Sequence, residues 1–186
     1  LEAVPPSVRR IDVVEIEPQV IAANQHIAGE RRHDPLRDSR VRVFVNDARN
    51  TLLRTSATYD IIVSQPSHPW TTASANLYSR EFVALAARHL SRDGVFVQWM
   101  NAAFVDAPLL RSLAATLAGE FSHVEVHEPI PMSLVFLASR RPLDPAAWFA
   151  TPASRLPGAI AALRNAGIAS PDDLHWSLLL DDAGVR

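Results

Sequence analysis

The chain contains neither cysteine nor lysine in its 186 residues. Lacking thiols, it forms no disulfide and has no thiolate nucleophile, which fits a reducing compartment. Its 18 basic residues are all arginine, set against 20 acidic ones, for a formal net charge of -2. Recognition of nucleic acid or an anionic membrane by bulk electrostatics needs clustered excess cation, and this balance argues against both. No apolar run approaches the ~20 residues of a membrane span, and the N-terminus lacks a signal-peptide layout. A soluble, cytoplasmic chain is expected. Glycine is absent from the fourteen residues ahead of Glu15, so no glycine-rich phosphate turn precedes that residue.

What is present is an apolar fraction of 48% with 20% charge, the composition of a globular domain. Short β-branched runs alternate with longer amphipathic ones, the pattern of a parallel sheet covered by helices on both faces. Strands are expected at "RIDVVEI" (10–16), "VRVFV" (41–45), "YDIIVS" (59–64), "GVFVQWM" (94–100), "HVEVHE" (123–128) and "SLVFLAS" (133–139). Pro18 suits a first helical turn ahead of "QVIAANQHIA". In "NLYSREFVALAARHL", Tyr78, Phe82, Leu85, Ala86 and His89 share a face. Asp106 is the expected N-cap of a helix burying Leu110, Leu113, Leu117 and Phe121. Residues 1–142 read as a doubly wound α/β domain and 143–186 as an extension of two or three short helices.

Candidate chemistry lies at the strand ends. Glu15 in "VVEIEP" occupies the kind of position where nucleotide-binding α/β folds place a carboxylate that accepts from two ribose hydroxyls at once. The loop "SQPSHPW" (64–70) follows a buried strand, yet His68 is its sole side chain of useful basicity. Trp70 and Tyr78 are candidates for a pocket mouth, although aromatics at helical spacing more often belong to a core. Ser64 and Ser67 lack the glycine-flanked elbow of a serine hydrolase. His123, Glu125 and His127 share one face of a strand, but alternate polar residues usually mark a solvated side, so no metal is expected. The arginine doublets at 9–10 and 31–32 read as solvated.

Together "VVEIEP", "VFVNDAR", "YDIIVSQPSHPW", "NLYSREFVALAARHLSRDGVFVQW" and the terminal strand pair resemble the spermidine synthase (polyamine aminopropyltransferase) family. The likeness is strongest to its bacterial spermidine synthase-like domains, often fused to membrane segments. It covers roughly residues 8–141. The resemblance implies a Rossmann-like, class I methyltransferase-like fold lacking its first strand and glycine loop. It further implies that Glu15 holds the nucleoside ribose, that Asp47 and Ala48 meet the adenine, and that Ile16 forms an apolar wall. Ser64 and Thr72 would also lie against the nucleoside. Gln65 and His68 stand where the family carries two loop carboxylates that bind the diamine and deprotonate it. A carboxamide is no base near neutral pH, and a neutral imidazole supplies no fixed negative charge, so polyamine specificity is expected to change.

The resemblance thus implies a transferase of polyamine biosynthesis that uses decarboxylated S-adenosylmethionine as co-substrate, with no permanently bound cofactor. Its partners would be a nucleoside and an amine acceptor, and a homodimer is implied. An S-adenosylmethionine-dependent methyltransferase is the first alternative, because it asks little of the acceptor loop beyond positioning. A non-catalytic nucleoside-binding module is the second. A sheet without its central strand leaves two apolar edges open, so a further segment, a partner or direct pairing of "DVVEI" with "DIIVS" is expected to fill the gap. Activity is accordingly expected of a parent protein more than of this segment alone.

Overall fold

The computed structural model describes residues 4, 7–31, 34–67, 69–103, 105–151, 157–165 and 167–186. It divides into two compact units, Leu1–Arg54 with Ala146–Ser170, and Thr55–Pro145 with Pro171–Arg186.

The first unit is built on a β-α-β turn of chain. Strand β1 (Ile11–Glu15) leads into helix α1 (Pro18–His26), with Pro18 in its first turn, where a missing N–H costs nothing. Two 3-10 turns, Ala28–Glu30 and Pro35–Arg37, carry the chain to β2 (Val41–Val45), followed by α2 (Ala48–Arg54). The strands pair in parallel from Ile11↔Val41 to Glu15↔Val45. Asp12, facing Arg42 in this register, accepts from Arg42 Nε at 2.9 Å and Nη2 at 3.0 Å and also pairs with Arg10. Arg9 and Arg10 are exposed, Arg10 also pairing with Asp12, whereas Arg31 is half-buried and its Nη2 donates to Asn24 Oδ1 at 2.8 Å. Arg32 lies outside the described residues. Helices α6 (Pro145–Ala150) and α7 (Pro157–Asn165) complete this part of the chain.

The second unit holds the core. Its sheet runs β3 (Tyr59–Ser64), β4 (Leu90–Asn101), β6 (Ser133–Ser139), β5 (His123–Ile130), β7 (Leu178–Leu180). The β3–β4 pair is parallel and the remaining pairs are antiparallel. Two helices, α4 (Arg80–Arg88) and α5 (Ala107–Glu120), contribute to the core. Phe96 of β4 meets Phe82 edge-on, centroids 6.4 Å apart, and stacks on Phe121 at 6.0 Å. Val83, Ala86, Leu117, Val124 and Ala138 are fully buried around them. Asp106 caps α5 as expected, its Oδ1 accepting from Leu109 N at 2.9 Å.

Several expectations are corrected. The "NLYSREF" segment is not one helix: Thr72–Ala75 forms α3, Asn76–Tyr78 a 3-10 turn, and α4 starts afresh at Arg80. Ser79 enforces the break, donating from Oγ to Asn76 O at 2.7 Å and accepting from Phe82 N at 3.3 Å. Strand β4 begins at Leu90 instead of Gly94, because Leu90 pairs with Tyr59. Residues past 143 are not all helix. Besides α8 (Pro171–His175) and α9 (Asp182–Val185) they supply β7, which pairs with β5 through Val126↔Leu180 and His127↔Leu178. The strands form two separate sheets, one ending on β1 and the other on β3, so the direct pairing of "DVVEI" with "DIIVS" is not made among the described residues. No helix among these residues is long and apolar enough to cross a membrane.

Candidate functional site

In the first unit, parallel pairing brings the carboxyl ends of β1 and β2 side by side. Asn46 N donates to Glu15 O at 3.1 Å, extending the ladder one step past Val45. Glu15 closes β1, and Asp47 stands two residues beyond β2 at the same end. Each carboxylate is anchored locally. Glu15 Oε1 accepts from Glu17 N at 2.9 Å, and Asp47 Oδ1 accepts from Asn50 N at 2.8 Å in the first turn of α2. Thr51 Oγ1 adds a donation to Asp47 O at 2.9 Å. These bonds fix both side chains on the strand ends while Glu15 Oε2 and Asp47 Oδ2 have no partner among the described residues. A half-buried, anchored carboxylate with one free oxygen is suited to accept from a hydroxyl or an amine of a ligand. Ile16 is exposed next to Glu15, and Ala48, half-buried, opens α2 beside Asp47.

In the second unit, Ser64 ends β3 and is buried, Gln65 is exposed, and Pro66 turns inward. Thr72 is the exposed first residue of α3. His68 lies outside the described residues. Two residues not singled out for this role hold the loop. Tyr78 donates from its hydroxyl to Ser67 O at 2.9 Å, and Trp99 O lies 3.5 Å away. Burial pushes the Tyr78 phenol up from its ordinary 10.0 to about 12. The Gln98 carboxamide, with no exposed surface, donates from Nε2 to Trp99 O at 3.1 Å and Ser64 O at 3.4 Å. A signal for Gln98 exists in the sequence: it takes the inward position between Phe96 and Met100, where a polar side chain must find partners.

The histidine strand is also placed. His127 Nδ1 lies 2.9 Å from Ser177 Oγ and Nε2 3.2 Å from Glu125 Oε2, while His123 Nδ1 lies 3.4 Å from Asp182 Oδ2. This face is thus covered by the C-terminal segment and is no solvated edge. No group of three metal-ligating side chains occurs among the described residues.

An α/β architecture with carboxylates on the carboxyl ends of parallel strands is the arrangement of Rossmann-like, methyltransferase-like folds. Superposition agrees. A spermidine synthase solved with the transition-state analogue AdoDATO matches with a TM-score of 0.69 over 94% of this chain and 59% of its own, at 18% identity. Human methyltransferase-like protein 13, solved with SAH, matches with a TM-score of 0.58 at 22% identity, over 86% of this chain and 72% of that one. The family model of the spermine/spermidine synthase domain matches residues 5–132. The chain therefore belongs to the spermine/spermidine synthase family of aminopropyl transferases. Polyamine aminopropyltransferase 2 of Streptomyces coelicolor is 42% identical over 92 residues, which is 48% of this chain and 17% of that protein. The chain thus spans a minor part of that relative's length.

Proposed function

We propose that the chain carries the nucleoside-recognising carboxylates and the acceptor-facing loop of an aminopropyl transferase, with its acceptor preference moved away from simple diamines. The placement of Glu15 and Asp47 carries this reading: two locally anchored carboxylates at one end of a parallel strand pair, each with an open oxygen. Glu15 would accept from the ribose hydroxyls and Asp47 from the adenine amine, with Ile16 and Ala48 giving apolar contact to the ring. In the reaction an amine lone pair attacks the methylene carbon bound to the sulfonium of decarboxylated S-adenosylmethionine. The carbon–sulfur bond breaks with its electrons going to sulfur, methylthioadenosine leaves, and the new ammonium sheds a proton. Gln65 is unable to take that proton, so the acceptor amine must arrive uncharged, or His68 must serve as base.

Methyl transfer from S-adenosylmethionine is the second reading, favoured by the carboxylate-free Gln65 and the fold shared with methyltransferase-like protein 13. Calorimetric titration with methylthioadenosine, decarboxylated S-adenosylmethionine and S-adenosylmethionine separates the two. Tighter binding of the decarboxylated compound than of S-adenosylmethionine is expected. The reverse order transfers the assignment to methyl transfer, and no heat with any of the three refutes a nucleoside site.

A further inference from the structure

Gln65 is exposed just past β3, yet the backbone on either side of it is held, at Ser64 by the buried Gln98 carboxamide and at Ser67 by the half-buried Tyr78 hydroxyl. Ser64 and Gln98 are register partners on β3 and β4, so their side chains fall on the same face of the sheet. The Gln98 amide nitrogen faces two carbonyl oxygens, Ser64 O and Trp99 O, which fixes the orientation of the carboxamide, since the flipped form would set oxygen against oxygen. Tyr78 reaches the same Trp99 carbonyl from the 3-10 turn and makes its short bond to Ser67 O. Ser64 Oγ and Gln98 Oε1 remain buried without a partner among the described residues. Buried polar groups of this kind are retained at a cost, and in this fold they gather under one loop.

We propose that Gln98 and Tyr78 are positioning residues that clamp the acceptor-facing loop to β4, Gln98 at its root through Ser64 O and Tyr78 at its middle through Ser67 O. The inference rests on the reading of this loop as acceptor-facing, while the clamp itself is testable without any ligand. The two residues differ in chemistry. Gln98 is wholly shielded and neutral, so it holds the strand end at every pH at which the protein is folded. The phenol of Tyr78 stays protonated, and hence a donor, until well into the alkaline range. A loop held this way keeps Gln65 on a fixed backbone, which converts the identity of that side chain into acceptor selectivity.

The test compares Tyr78→Phe and Gln98→Met with Thr116→Ala, a half-buried control on α5 that likewise loses one side-chain hydrogen bond. Backbone carbonyl 13C shifts are followed in the full chain. Tyr78→Phe removes the bond to Ser67 O and should shift the Ser67 carbonyl, with a smaller shift at Trp99. Gln98→Met should instead shift the Ser64 and Trp99 carbonyls. Carbonyls within α4 should stay as in the control. Unchanged Ser64 and Ser67 carbonyls, or shifts spread evenly over α4 and the loop, would overturn the clamp. A companion titration with methylthioadenosine should give the same affinity in all three variants. If the loop is released but methylthioadenosine binds to none of the proteins, including the parent chain, the clamp stands and the transferase reading falls. If methylthioadenosine affinity is lost in the two clamp variants alone, the residues are not specific to the loop and the inference is overturned.

Discussion

Glu15 and Asp47 each do two things, one visible in the structure and one proposed: they tie down the first residues after their strands and offer the remaining oxygen outward. Glu15 is legible in the sequence as an acid at a strand end, a position that taken alone more often marks plain surface, and Asp47 enters only through the family resemblance. Gln98 and Tyr78 are not legible as loop-holding groups, since a carbonyl partner on another strand leaves no local pattern. The Tyr78 phenol also makes a prediction of its own. It titrates at its ordinary 10.0 when unfolded and at about 12 when folded. Its neutral form is preferred in the folded state, so this contribution is intact below pH 10 and is lost progressively as pH rises from there through 12. Urea midpoints taken at about pH 9 and about pH 11 should fall further in the parent chain than in Tyr78→Phe. An equal fall in both would show that this phenol is not the group responsible.

At the scale of elements, the six expected strands all form, because each is a β-branched run bounded by polar or proline-bearing breaks. The exceptions have local causes. Strand β7 is a run of three leucines, too short to show alternation, and exists by pairing with β5. Helix α2 is a single seven-residue segment with one buried side chain, Leu52, so its apolar face is too thin to read. The extra start of β4 at Leu90 spans Ser91, Arg92 and Asp93, which look like a turn in sequence. Helix α5 is legible from its cap and apolar spacing, and the cap is testable. Asp106→Ala leaves Leu109 N without its acceptor and should cost about 1 kcal/mol in chemical denaturation. A change below the precision of that measurement would mean that solvent caps the helix equally well.

Across the whole molecule, burial is unevenly distributed. Among the described residues, Leu52 is the sole buried large apolar side chain of the first unit, and the remainder of the core belongs to the second. Val45 on β2 is 59% exposed, and Ile61 and Val63, on one face of β3, are 57% and 63% exposed. Among the described strands β3 pairs with β4 alone, so an apolar edge and face lie open. Such an edge templates pairing with another strand. The chain should then self-associate through this edge: light scattering after gel filtration should give a mass above the monomer, and Val63→Lys should return it toward 20.4 kDa. A monomer in both cases would show that the edge is protected. The open edge is legible through the family resemblance, which implies an absent neighbouring strand, whereas the uneven burial is not, since it depends on what lies beside each strand and not on the strand's own residues.

The most direct test of the nucleoside site uses the two amides that report on it, Glu17 N–H and Asn50 N–H, each bonded to one oxygen of a candidate carboxylate. In a 15N-edited titration with methylthioadenosine both resonances should move together and saturate at one ligand concentration. If neither moves while the ligand is in excess, or the two saturate at unrelated concentrations, Glu15 and Asp47 do not hold one nucleoside between them.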